Sequence, residues 1–430
     1  MRHVRLALAA ASQVFSPPVL RFVWLDLFCT SQHATFSRPP QWWQQVFSNA
    51  IATFGRVVMV MAPWDAPITL TRTWCIFELW ACYSNRCRFE VALPASQRLK
   101  FLSDIDRDIG SFHDMLARVN SRSSTCSRDS DRQRIFDAVE SSIGFTEMDR
   151  AVLETLEGWM LNQLAEQIAG ASSALECARW KSALALLHDA RGEFELKLSL
   201  AEDVYAIRLR ELGADDVLTI KAHIELAVSL QDVGKVAMAL PILSKSWEAM
   251  RCALGEDHEH TIDAALSLAS CRFEAGLYEP AESMYKDCLA RRSTLFGERA
   301  RQTIDTKQRV ASCLSLRGAY SDASAMLREC LDAARALFGA EHPVTMDIMD
   351  ALAGVLLECG SLNEAEDLLT SCLENSKRLL GAEHPNVRSC LILLCAVLCA
   401  PAGLNARCDA PASFRRSRPC QSWRTSGSKR

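Results

Sequence analysis

The sequence predicts a two-part chain: a small α/β unit built on a parallel sheet, followed by an all-α solenoid of stacked helical hairpins. Three observations carry this. Ten of the eighteen glycines fall on two lattices with a period of 42 residues, Gly192, Gly234, Gly276, Gly318 and Gly360 on one and Gly213, Gly255, Gly297, Gly339 and Gly381 on the other. Large-small pairs keep the same period: Leu184-Ala185, Leu226-Ala227, Leu268-Ala269, Val310-Ala311, Leu352-Ala353 and Leu394-Cys395. Before residue 170 the period is absent, and short continuous apolar runs alternate with amphipathic stretches. A fixed period means that one unit cannot bury its apolar face alone and stacks on copies of itself. Continuous apolar runs of strand length are what parallel strands buried on both faces require.

The repeat half aligns as 171–212, 213–254, 255–296, 297–338 and 339–380, with a partial unit at 381–400. Within each unit a large residue beside a small one lets two antiparallel helices, A and B, approach closely; Ala239, Ala281, Ala323 and Ala365 mark the matching position on helix B. The first glycine series belongs in the turn between A and B, where a left-handed residue stops a helix sharply, and the second closes helix B. Pro343 and Pro385 follow the second series and suit the first turn of the next helix A, where a missing N–H costs nothing. Thr219, Thr261, Thr303 and Thr345 recur just after it.

In the first half, 22–28 and 57–61 read as strands, 88–93 as a third, and 41–54 as the helix between the first two, with Trp42, Trp43, Val46, Phe47, Ala50, Ile51 and Phe54 on one face. The order β-α-β-α-β predicts right-handed crossovers and a site beyond the C-terminal strand ends. Residues 22–120 form this unit. Residues 121–170 connect it to the repeats through a polar break at 121–131, expected to be an exposed loop, and a helix over 145–170 expected to bridge to the solenoid and cap its first repeat. Residues 1–21 are unassigned; they are basic, then apolar, and free of acids up to Asp26, the pattern of a short targeting peptide. Residues 401–430 carry seven Arg or Lys against one acid and read as a disordered basic tail.

Forty-eight basic against fifty-two acidic residues give a net charge of −4, which offers no argument for nucleic acid. No apolar run reaches the ~18 residues of a membrane helix, so membrane insertion is not expected. Several of the eighteen cysteines sit on the lattice: Cys288, Cys330 and Cys372 on one position, Cys271 and Cys313 on another. Without CxxC or zinc-finger spacing they read as reduced packing residues of a cytoplasmic protein, and no metal is expected. His258, His342 and His384 share a position beside the second glycine series and read as inter-repeat loop residues, although His258 and His260 together look like a ligand pair.

Leu-Phe-Gly-Ala-Glu-His-Pro-Val-Thr at 337–345 and Leu-Leu-Gly-Ala-Glu-His-Pro-Asn-Val at 379–387 resemble the 42-residue tetratricopeptide repeats of kinesin light chains and nephrocystin-type proteins. The resemblance implies a right-handed superhelix whose concave, A-lined face holds an extended peptide. The family's Asn-Asn backbone clamp reads here Ile224-Glu225, Leu266-Ser267, Gln308-Arg309 and Asp350-Ala351. Glu225, Gln308, Arg309 and Asp350 are then the candidate partner-binding residues, with solvated helix-face positions as the alternative. The heptad coiled coil that joins kinesin light chains to a motor heavy chain has no counterpart in 1–170.

The strand at 57–61 runs through a loop into Thr71-Arg72-Thr73-Trp74-Cys75-Ile76-Phe77-Glu78-Leu79, which resembles the Trp-Cys-x-x-Glu-Leu element of Toll/interleukin-receptor-like (TIR-like) domains. In members that hydrolyse NAD this glutamate is catalytic, so the resemblance makes Glu78 the catalytic candidate and NAD the cofactor of an enzymatic alternative. The strand and loop that begin such a domain have no clear counterpart before residue 22, so only part of it is expected. The leading expectation is a non-enzymatic scaffold that binds a protein or peptide on the solenoid. The alternatives are a TIR-like NAD-hydrolysing enzyme regulated by its repeats and a kinesin-associated cargo subunit.

Overall fold

The computed structural model describes residues 40–107, 110–117, 119–126, 128–380 and 385–399. The expected strand at 22–28, the segment 1–21, Gly381, His384 and the basic tail lie outside the described residues. The chain divides into two compact units, one running to Gln163 and one beginning at Leu164.

In the first unit the apolar runs become strands. Helix α1 (Pro40–Phe54), strand β1 (Arg56–Val60), helix α2 (Thr73–Ser84) and strand β2 (Arg88–Ala92) alternate. β1 and β2 pair in parallel with Val58 opposite Glu90, and a helix between parallel neighbours is what the crossover demands. Ile51, Ala81 and Cys82 bury against Val57 and Phe89. Four helices follow: α3 (Ala95–Arg107), α4 (Gly110–Ala117), α5 (Asp129–Glu140) and α6 (Gly144–Ala169). Trp64 is buried with its ring edge-on to Phe101 at 5.2 Å, and its indole N–H donates to Asp104 Oδ2 at 3.1 Å. A large aromatic body thus enters the core without stranding its donor.

The expected exposed loop at 121–131 is partly a buried junction. Ser121 and Ser124 are buried, Ser121 N–H donates to Asp149 Oδ1 at 2.9 Å, and the hydroxyls of Thr73 and Ser124 lie 3.1 Å apart. Small polar side chains tolerate burial when every donor is answered; composition reported the polarity but not the partners.

The second unit is a run of antiparallel helix pairs: α7 (Ala174–Ala190) with α8 (Phe194–Leu212), α9 (Val217–Asp232) with α10 (Val236–Leu254), α11 (Glu259–Glu274) with α12 (Tyr278–Phe296), α13 (Arg301–Leu316) with α14 (Tyr320–Phe338), and α15 (Pro343–Glu358) with α16 (Leu362–Leu380). A last helix A, α17, spans Pro385–Cys399. The alanines Ala239, Ala281, Ala323 and Ala365 are completely buried between paired helices. Glycines Gly192 to Gly360 of both series all have φ between +71° and +94°. A methyl group added at Gly234 or Gly276 would meet nothing within 4 Å, so backbone handedness, not space, selects glycine there.

The other lattice residues tie one hairpin to the next. Asp216, His258 and His342 are the N-caps of α9, α11 and α15; each accepts a backbone N–H of the first turn, from Leu218, His260 and Val344. The histidines therefore act as caps, each Nδ1 accepting an N–H of the first turn. Thr219, Thr261, Thr303 and Thr345 are buried, and their hydroxyls donate to carbonyls at the end of the preceding helix B, Arg208, Met250, Gly297 and Gly339. Gly297 and Gly339 are the C-caps of their helices, and their carbonyls belong to the groups a helix C-terminus leaves unpaired. Cys288, Cys330 and Cys372 direct their thiols to carbonyls of Ile262, Ile304 and Met346. Burial pushes the Cys271, Cys288, Cys313 and Cys330 thiols up to about 12, which keeps them neutral and inert.

Candidate functional site

Along the row of A helices, α9 packs on α11, α13 on α15 and α15 on α17. One position on that row repeats as Lys221, Asp263, Asp305 and Asp347, all half-buried.

Two buried arginines hold these carboxylates in place. Arg292, from helix B, donates to Asp263 Oδ1 at 2.6 Å and to Asp305 Oδ2 at 3.4 Å, and to the Gln302 carbonyl at 2.7 Å. Arg309 lies on α13 one turn beyond Asp305 and donates to both of its oxygens at 3.4 Å. Burial opposes the charge of Arg309, but Asp305 and the Tyr285 hydroxyl outweigh it and keep the guanidinium protonated. Asp263 and Asp305 themselves remain 45% exposed at the side chain, so their outer lone pairs face solvent. Asp347 Oδ1 accepts from Asn386 Nδ2 at 3.3 Å.

Of the four partner-binding candidates, Glu225 is exposed on α9, where its charge acts on Lys197 and Arg208. The other three are turned into the array. Gln308 and Arg309 are buried; Gln308 Nε2 donates to the Asp347 carbonyl at 3.3 Å. Asp350 accepts from the Ser389 hydroxyl at 3.1 Å and the Cys390 thiol at 3.3 Å. Burial pushes its carboxyl up to about 6. Gln308 and Asp350 therefore bond to the next repeat, Arg309 bonds to Asp305 of its own helix, and Asp263 and Asp305, one turn earlier, keep an exposed side.

Sequence reasoning missed Lys197. It occupies the position of the four buried alanines, and its Nζ sits 2.9 Å from Asp189 Oδ1 and 2.6 Å from Asp232 Oδ2. Burial disfavours its charge, yet the two aspartates hold it well above the usual lysine range. The same burial pushes Asp189 up to about 6 against the pull of Lys197. The signal was available: one lysine interrupts an alanine series, with Asp189 two turns of chain before it.

In the first unit Glu78 lies on α2, half-buried. Trp74 beside it packs with Trp80 against Phe77 and Ile135. The pocket expected around Glu78 depends on residues 22–28, outside the described residues.

One tetratricopeptide repeat model matches residues 218–294, and a second matches 177–217, 303–344 and 345–386. A search of curated proteins finds no match. Solved structures of similar fold include BtubC (BKLC) from P. vanneervenii, 22% identical over 52% of this chain and 94% of that one with a TM-score of 0.40. The nearly identical TPR-like repeats assigned to a kinesin light chain of Podosopora anserina are 20% identical over 46% and 95%, TM-score 0.37. NprR in complex with its cognate peptide NprX is 16% identical over 67% and 82%, TM-score 0.43. The paired helices of the second unit are tetratricopeptide repeats.

Proposed function

We propose that this chain is a non-enzymatic adaptor that holds an extended segment of a partner protein along the A-helix row of its repeats. The carrying observation is the ladder of Asp263, Asp305 and Asp347, one carboxylate per repeat, with Asp263 and Asp305 fixed by Arg292 and Arg309 and still 45% exposed. An asparagine clamp both donates and accepts, whereas an ionised carboxylate only accepts. The partner must therefore supply donors, either its own backbone N–H groups or basic side chains. Glu225 extends the acceptor row at the α9 end. No helix among the described residues is long and apolar enough to cross a membrane, and inert unpaired thiols suit a reducing compartment, so we place the adaptor in the cytoplasm.

A photo-crosslinking residue placed at Glu225 or Lys221, on the A row, tests this against one placed at Glu248 or Glu279 on the B helices. The reading expects one partner captured from the A row and lost on Glu225→Arg with Asp347→Asn. Equal capture from both faces overturns it. A motor heavy chain is one partner this experiment would identify by mass. The enzymatic reading rests on Glu78 following a strand of a parallel pair, and incubation with NAD decides it.

A further inference from the structure

We propose that Asp350, Cys372 and Cys390 form a binding site for a thiophilic divalent cation of the zinc class, built across α15, α16 and α17. One ligand atom from each lies within 4.8 Å of the other two. Cys372 Sγ is 3.4 Å from Cys390 Sγ, and Cys390 Sγ is 3.3 Å from Asp350 Oδ1. A tetrahedral ion with Zn–S near ~2.3 Å and Zn–O near ~2.0 Å sets its sulfurs ~3.8 Å apart and sulfur from oxygen ~3.5 Å apart. The two edges that meet at Cys390 stand within a few tenths of an ångström of those values, and the third, between Cys372 and Asp350, is within 4.8 Å. Cys372 and Cys390 are buried, and a fourth donor is at hand in the Ser376 hydroxyl, 3.8 Å from Cys372 Sγ.

The lattice shows that this is more than a repeated packing thiol. Cys288 and Cys330 occupy the position of Cys372 and make the same bond to a helix A carbonyl. The positions equivalent to Asp350 and Cys390 hold Gln308 and Ile348 around Cys330, and Leu266 and Thr306 around Cys288. The three donors coincide in one repeat. Among the described residues no lysine or arginine pairs with Asp350, whose other oxygen accepts from Ser389 at 3.1 Å. A half-buried carboxylate oriented by a neighbouring hydroxyl is an arrangement that supports a metal ligand. Binding replaces the two thiol protons, which leave to solvent, and the cation offsets two of the three negative charges carried by the two thiolates and the Asp350 carboxylate.

Titration of reduced full-length protein with cadmium(II), followed by the thiolate-to-metal absorption band, tests the site. We expect one equivalent bound by the parent chain and by Cys288→Ala, loss of that equivalent in Cys390→Ala, and at least tenfold weaker binding in Asp350→Asn. Asp350→Asn is isosteric and carries the test alone if Cys390→Ala loses its helical circular dichroism. Unchanged binding in either variant overturns the proposal. So does a Cys372–Cys390 disulfide found by mass spectrometry together with no cadmium uptake after reduction, which would make the pair a redox couple.

Discussion

Lys197→Ala is the substitution whose outcome the structure specifies most closely. The side chains of Lys197, Asp189 and Asp232 are 4%, 4% and 5% exposed, so the variant keeps two carboxylates in the core and removes their cation. Breaking a buried ion pair from one side costs about 3–5 kcal/mol. The protein can escape part of that by taking up a proton, and the escape sets a ceiling. From the ordinary aspartate value of 3.8, protonation costs about 5 kcal/mol at pH 7.5 and about 2 kcal/mol at pH 5, at about 1.4 kcal/mol per pH unit. The variant's cost should therefore fall from about 4 kcal/mol at pH 7.5 to about 2 kcal/mol at pH 5, and its deficit relative to the parent by less, because Asp189 of the parent gains over the same range.

The parent has its own slope of the same sign. Burial raises Asp189 from 3.8 to about 6, so the folded state binds this proton more tightly than the unfolded chain. Its stabilising contribution is complete below about 3.8 and is lost as pH rises through about 6. Repeat arrays do not unfold as one two-state unit, so amide hydrogen exchange across α7, α8 and α9 is the suitable measurement. Lys197→Met with Asp189→Asn and Asp232→Asn removes all three charges while keeping their volume, and should recover most of the loss. A Lys197→Ala deficit independent of pH, or none at pH 7.5, would refute the reasoning.

Ala300 is the N-cap of α13 with the backbone of a cap, φ −69° and ψ 148°, but no side-chain acceptor. Ala300→Asp should reproduce the Asp216 cap and raise the exchange protection of α13 by about 1 kcal/mol. Gly276→Ala should cost about 1–2 kcal/mol through its φ of +82° alone, with Gly276→Asn costing less; equal losses would point to a steric cause instead. Thr345→Val leaves the Gly339 carbonyl, now bonded at 2.7 Å, without its donor, and amide exchange across α14 and α15 should show a loss of about 1 kcal/mol. Incubated with NAD, the parent and Glu78→Ala should release nicotinamide at the same background rate; release by the parent alone would replace the adaptor reading with an enzymatic one.

The repeat fold was legible because its determinants are local. A glycine at φ +82° or a threonine beneath a helix end acts within one unit, and repetition states the same requirement several times. The first unit offers no second copy against which to check a reading, so the polarity of Ser121 and Ser124 passed for exposure. The candidate site was less legible because its decisive bonds cross between repeats. Gln231 with Ser270, Gln308 with Asp347, Asp347 with Asn386 and Asp350 with Ser389 are all pairs separated by 39 residues. That separation is one repeat less three residues, which means that neighbouring A helices meet about one turn out of step. Aligning the sequence on its 42-residue period stacks Asp350 over Ile392, whereas the chain places it against Ser389 and Cys390. The period identifies which residues are equivalent; the one-turn offset decides which of them touch, and it gathers Asp350 and Cys390 with Cys372 where the alignment alone shows three unrelated columns.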